Sequence, residues 1–236
     1  RDHCVTGVQT CALPISGDLE GHLRSNLLGS LELLRDAGDR PFVYLSSVAV
    51  HHHIDPTWNN VIDDRHPARP GSAYGALKAA VEAHMWAANA ERGQPVVALR
   101  PCAVYGIDPD RSRSIGWPII DSIREERRYV RKGGGKFVHV EDVAAATLAA
   151  VSNPGNSPAI HHLVDCYARW GDWGVMTAEL LGVEAEIDLD SPEQSLNRFE
   201  TAGVREALGV AMDRGHEGIR DHIRAMIELK RSEEHT

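Results

Sequence analysis

Three side chains in this sequence have the types and spacing for proton chemistry: Ser47, Tyr74 and Lys78. Tyr74 and Lys78 stand at i and i+4 in a stretch with helical periodicity, so both project from one face. A phenol titrates near pH 10 and is a poor base at neutral pH. An adjacent ammonium favours the phenolate and lowers that value, which makes proton transfer to or from a substrate hydroxyl feasible. Ser47 ends a short apolar run, where its hydroxyl is placed to hold the same reacting oxygen. Tyr-x-x-x-Lys alone is a weak signal, because a surface helix pair has the same spacing. A second cluster, His51-His52-His53, invites a metal reading. Three consecutive histidines point in different directions and have no carboxylate at ligand spacing, so the expectation is a solvated loop and no metal.

The elements that must position these groups follow from periodicity. Leu23, Leu27, Leu31 and Leu34 recur at helical spacing before Gly38, a stop signal. Phe42 to Leu45 reads as a strand buried on both faces. A long loop, rich in Pro, Asp and His, runs from His51 to Ser72, a length that often marks function. Ser72 to Arg92 reads as a helix with Leu77, Val81, Met85 and Ala88 on one face, and Pro95 to Leu99 as a second buried strand. This alternation predicts an α/β parallel sheet. Further on, helices are expected over 118–126, 141–151, 173–181, 203–208 and 216–229, with strands over 137–140 and 160–164. Gly133-Gly134-Gly135 reads as a turn before a strand rather than a phosphate cradle.

Composition bounds the function classes. The 236 residues are 42% hydrophobic and 25% charged, with a formal net charge of −9. That fits a globular protein and argues against nucleic acid or an anionic membrane as the main partner. No apolar run approaches the ~18–20 residues that span a bilayer. The four cysteines make no CxxC pair, and a reducing cytoplasm is the simpler reading. Both ends read as translated sequencing adapter, 1–16 and 231–236. Thr10 to Ile15 written as ACG TGT GCT CTT CCG ATC, followed by T, has a reverse complement that translates as Arg231 to Thr236.

Taken together, the motifs resemble the extended short-chain dehydrogenase/reductase family, the NAD(P)-dependent epimerases and dehydratases, over nearly all of Gly17 to Lys230. Asn26-Leu-Leu-Gly-Ser-Leu-Glu-Leu-Leu34 resembles the family's helix. Phe42-Val-Tyr-Leu-Ser-Ser-Val-Ala-Val50 resembles the strand ending in its serine. Pro70-Gly-Ser-Ala-Tyr-Gly-Ala-Leu-Lys78 is similar to its Tyr-x-x-x-Lys segment. Leu99-Arg-Pro-Cys-Ala-Val-Tyr-Gly106 is similar to the following loop, and Lys136-Phe-Val-His-Val-Glu-Asp-Val143 to the strand and helix after it.

The resemblance implies a fold and roles. The fold would be a partial doubly wound, Rossmann-like parallel sheet lacking its first βαβ units, with a small C-terminal α+β substrate lobe. Residues 17–106 would be the later part of the dinucleotide-binding domain, and 107–230 mainly the substrate lobe, with 136–165 returning to the core. Tyr74 would be the acid/base, Lys78 would hold the cofactor ribose, and Ser47 would bond the reacting oxygen. Pro101, Cys102, Ala103 and Val104 would lie against the nicotinamide of NAD or NADP. Arg111 and Arg113, in the region of the family's substrate pocket, would suit a diphosphate, although a solvated charged face is the simpler reading for each.

The implied activity is epimerisation or dehydration of a nucleotide sugar by transient hydride transfer. Reduction of a non-sugar carbonyl and a non-catalytic binding role are the alternatives, and a homodimer is an open assembly. The sequence departs from the family in having His51-His52 where Tyr-Gly is usual. It also has no glycine-rich turn to receive a pyrophosphate. By count of βα units, at about 30 residues per βαβ unit, roughly 60–90 residues would be missing upstream, and the chain as written is expected to be inactive.

Overall fold

The computed structural model describes residues 19–52, 56–155 and 157–234. Helical structure opens the described residues: α1 (Leu19–His22), a π-helical stretch (Leu23–Leu28) and α2 (Gly29–Ala37), stopped at Gly38 with φ +61°. Then come β1 (Phe42–Leu45), a 3-10 turn (Val48–Val50), a second such turn (Pro56–Trp58), β2 (Val61–Ile62) and α3 (Ala73–Arg92). β3 (Val96–Pro101) and β4 (Ala103–Tyr105) are nearly continuous. A third 3-10 turn (Arg111–Arg113) leads to α4 (Trp117–Glu126), β5 (Arg128–Tyr129), β6 (Gly134–His139), α5 (Val140–Ser152) and β7 (Ala159–Leu163). The chain continues through β8 (Cys166–Arg169), α6 (Trp170–Leu181), β9 (Glu186–Ile187), β10 (Arg198–Phe199), α7 (Ala202–Leu208) and α8 (Gly215–Glu234).

The main sheet has the order β1-β3-β7 and is parallel throughout, with Phe42 opposite Val96 and Val97 opposite Ala159. Helices cover both faces, as a parallel sheet requires. On one face Leu34 of α2 and Val81, Met85 and Ala88 of α3 pack against Val96 and Ala98. On the other, Val143, Ala146 and Ala150 of α5 and Val204 of α7 pack against Val97 and Leu99. β3, the central strand, is buried over Val96–Arg100, whereas every residue of β1 is only half-buried. β1 pairs on one side alone among the described residues, which is why the expected burial on both faces is incomplete.

A second sheet, β4-β6-β8, runs parallel between β4 and β6 and antiparallel between β6 and β8. It packs on α4, α6 and α8 around Tyr105, Phe137 and Trp173, which are 0–1% exposed. Trp170 and Trp173 are packing residues here, joined edge-on or tilted to Phe137. β7 leaves this region to join the main sheet beside β3.

The expectation for the histidine triplet changes at one position. His51 is buried, not part of a solvated loop; it bridges to Arg69 and sits against His66, His162 and Phe199. The physical reason is Arg100, a buried guanidinium whose Nη1 needs acceptors and finds the imidazole nitrogens. His52 is exposed as expected, and His53 lies outside the described residues. The segment 1–16 also lies outside them; at the other end, 231–234 continue α8, and Glu233 pairs with Arg111. Among the described residues no helix is long and apolar enough to cross a membrane.

Candidate active site

Tyr74 and Lys78 lie in the first two turns of α3. The helix starts at Ser72, whose hydroxyl accepts from Gly75 N at 3.1 Å, an N-cap. Its first turn is pressed against the 3-10 turn that follows Ser47. A Cβ on Gly75 would lie 2.1 Å from Ala49 O, and one on Gly71 2.3 Å from the His52 ring. Glycine is required at 75, where the obstacle is backbone; at 71 the exposed His52 side chain would have to move. This approach brings the start of α3 against the turn that Ser47 caps, where the Ser47 hydroxyl accepts from Ala49 N at 3.1 Å.

Lys78 Nζ donates to Leu45 O at 2.7 Å, the last residue of β1. It stands 4.6 Å from the centroid of the Tyr44 ring and 5.7 Å from that of Tyr74. The ammonium is thus anchored at the carboxyl end of the parallel strands between two aromatic rings, with cation–π attraction to help hold it. Burial pushes the Tyr44 phenol well above its ordinary range, so that hydroxyl stays protonated. Tyr74, half-buried, is the other phenol beside Lys78.

Pro101 ends β3, and Cys102 N donates to Leu163 O at 3.1 Å, which turns the chain toward β4. Cys102 and Val104 are half-buried and Ala103 is exposed. The Cys102 thiol is pushed far up by burial and is un-ionised at neutral pH. This segment therefore offers a small, uncharged surface. Arg111 and Arg113 lie in the 3-10 turn before α4; Arg111 is half-buried and ion-paired with Glu233, and Arg113 is exposed. No group of three metal-ligating side chains converges among the described residues.

Beneath the carboxyl ends of the strands lies a buried polar cluster that periodicity did not reveal. Arg100 grips Glu82 with Nε to Oε1 at 3.0 Å and Nη2 to Oε2 at 2.5 Å, and Ser46 Oγ donates to the same Oε1. Arg100 Nη1 lies 2.9 Å from His51 Nε2 and 3.3 Å from His162 Nε2. Burial and then the guanidinium hold the two imidazoles far below their ordinary values, His51 near 3 and His162 near 2. Two signals were present in the sequence: Glu82 follows Lys78 by four residues, and Arg100 ends a run of apolar strand residues, where a charge needs a partner. A groove of about 480 Å³ beside β10 and α7 includes Arg198, Phe199 and Arg205 in its lining but neither Tyr74 nor Lys78.

Comparison with known proteins bears on the family and the fold. The NAD dependent epimerase/dehydratase family matches residues 16–164, more than half of the chain. No curated protein matches the sequence. Among solved structures, MoeE5 in complex with UDP-glucose and NAD is 26% identical, with a TM-score of 0.68 over 89% of this chain and 72% of that one. RMD from Pseudomonas aeruginosa, complexed with NADPH, is 22% identical with a TM-score of 0.69, over 86% of this chain and 72% of that one. The UDP-glucuronic acid 4-epimerase from Bacillus cereus, in complex with UDP-glucuronic acid and NAD, is 20% identical with a TM-score of 0.68, over 89% of this chain and 70% of that one. The last two likenesses establish the fold alone. A Rossmann-like parallel sheet, the Tyr-x-x-x-Lys helix packed on the serine turn, and the family match lead to one conclusion: the chain belongs to the NAD dependent epimerase/dehydratase family.

Proposed function

We propose that the protein of which this chain is part is an NAD(P)-dependent epimerase or dehydratase of a nucleotide sugar, with Tyr74 as its acid/base. The observation that carries the reading is Lys78 Nζ, fixed on Leu45 O and beside the Tyr74 ring at the carboxyl end of a parallel sheet, the end at which such folds bind ligands. Tyr74 exchanges a proton with the substrate hydroxyl. Lys78 favours its phenolate and holds the ribose hydroxyls of the cofactor. Ser47 hydrogen-bonds the reacting oxygen, and Tyr44, kept neutral by burial, offers Lys78 a ring face without competing as a base.

The residues present fit the nicotinamide end of NAD or NADP. An ammonium stands beside a phenol, and the un-ionised Pro101–Val104 segment offers a surface on which a flat ring and carboxamide can rest. The cofactor, when bound, supplies hydride acceptance and return. The sequence has no glycine-rich turn for the pyrophosphate. We therefore read residues 17–106 as the later part of a dinucleotide-binding domain and 107–230 as mainly the substrate lobe, with Arg111 and Arg113 the groups assigned to a diphosphate.

Two experiments test this. Calorimetric titration of the purified chain with NAD⁺ and NADP⁺ is expected to give no micromolar binding; micromolar affinity would refute the requirement for a glycine-rich first half. In a chimera carrying such a first half from a family member, Tyr74→Phe is expected to lower turnover of a UDP-sugar by about 10²–10⁴. Equal turnover in the two chimeras would remove Tyr74 from the chemistry.

A further inference from the structure

Glu82 follows Lys78 on α3 by one helical turn, as Lys78 follows Tyr74, so one face of the helix carries phenol, ammonium and carboxylate in a row. The side chains of Arg100 and Glu82 are 3% and 5% exposed. Their contacts reach the segments on which Ser47, Lys78 and the Pro101 turn depend. Ser46, which donates to Glu82, precedes Ser47, and its own N–H is fixed on Leu99 O at 2.7 Å. Leu45, whose carbonyl receives Lys78 Nζ, precedes Ser46. Two consecutive residues at the end of β1 thus receive two side chains one turn apart on α3. Arg100, bound to both carboxylate oxygens, immediately precedes Pro101.

A buried ion pair is a poor device for stability, since desolvation offsets most of the attraction and a well-packed apolar pair often serves as well. What it supplies is geometry: a fork-on-fork contact has one distance and one orientation. Rotation of the Leu45–Ser46 peptide would carry away the carbonyl that anchors Lys78, and the Ser46 hydroxyl on Glu82 opposes that rotation.

We propose that Glu82 is a positioning residue: by clamping Ser46 and Arg100 to α3 it fixes the ends of β1 and β3 relative to Tyr74 and Lys78, acting through Lys78 and Ser47 without touching substrate. The proposal rests on the catalytic assignment above, and its test separates the two. The readout is the titration of Tyr74 in this chain, followed by NMR of ¹³Cζ-labelled tyrosine and assigned with Tyr74→Phe. Lys78→Met is expected to raise the Tyr74 midpoint by about one pH unit or more. An unmoved midpoint overturns the catalytic assignment and the proposal with it.

Given that shift, the charge-balanced variant Glu82→Leu/Arg100→Met is expected to move Tyr74 at least half as far in the same direction, with the fold checked by circular dichroism. An unmoved Tyr74 in the folded double variant overturns the positioning role and leaves the assignment standing. Should the double variant not fold, Ser46→Ala decides, because it removes one hydroxyl and no charge. An upward shift supports the clamp, and an unchanged midpoint overturns it.

Discussion

The two histidines on Arg100 should make this fold sensitive to mild acid. His51 and His162 are 9% and 2% exposed, with their Nε2 atoms 3.1 Å apart and both directed at one guanidinium nitrogen. A proton added to either ring creates a buried cation facing another, and His51 Nδ1 already has no hydrogen-bond partner among the described residues. His66, with its ring centroid 5.1 Å from that of His51, adds to this repulsion, while Asp63 opposes it weakly at His162. In the native state burial and the guanidinium hold both rings far below the value of about 6.5 that they have in the unfolded chain. The folded state therefore binds fewer protons. The neutral rings are fully tolerated above about pH 6.5, and stability is lost as pH falls from there toward 3.

At pH 5 the unfolded state gains RT ln(1 + 10^1.5), about 2 kcal/mol per ring and about 4 kcal/mol for the pair. With an m-value of about 2 kcal/mol/M, the urea midpoint should fall by about 2 M between pH 7 and pH 5. His139, His161 and His222, lowered first by burial, act in the same direction. Asp165, raised by burial, gains stability as pH falls and offsets part of the loss at the acid end. The decisive comparison is His51→Gln/His162→Gln, in which each amide oxygen can accept from Arg100 without titrating. Its midpoint should fall much less over the same range. A flat wild-type midpoint, or equal slopes in the two proteins, would refute the argument.

Three further outcomes follow from particular contacts. Gly75→Ala would ordinarily gain up to about 1 kcal/mol in a helix; with Ala49 O 2.1 Å from the new Cβ, a loss of about 1–3 kcal/mol is expected instead, read as a lower melting temperature. Cys166, pushed up to about 12 by burial, and Cys102, pushed up further, should react slowly with a thiol reagent at pH 8 in the folded chain and rapidly in urea. Trp173→Ala should cost about 3–5 kcal/mol by urea melting; Trp173→Phe should cost much less, because Trp173 Nε1 makes no hydrogen bond among the described residues.

The residues that periodicity located are those whose burial follows from a repeating pattern. Leu77, Val81, Met85 and Ala88 mark α3, and the apolar run of β3 marks the centre of the sheet. The short strands escaped because β5, β9 and β10 have two residues each and β4 has three, too few to show an alternation. Their pairing is decided by partners distant in sequence, such as Arg198 opposite Val61. The π-helical stretch escaped because Leu23 and Leu27 keep the same face in either helix type.

His51 was misjudged for a different reason. His52 and His53, which follow it, are polar, while the group that buries it, Arg100, is 49 residues away. A histidine's fate in such a segment depends on whether an unsatisfied donor lies in the core beneath it. Arg100 is that donor: Glu82 takes up Nε and Nη2, and Nη1 is left to draw the loop down through His51. The charge that fastens the proposed catalytic segments together is thus also the one that folds the loop after Ser47 onto the sheet. A substitution at Arg100 would disturb both at once, whereas His51→Gln would retain the clamp and alter only its response to acid.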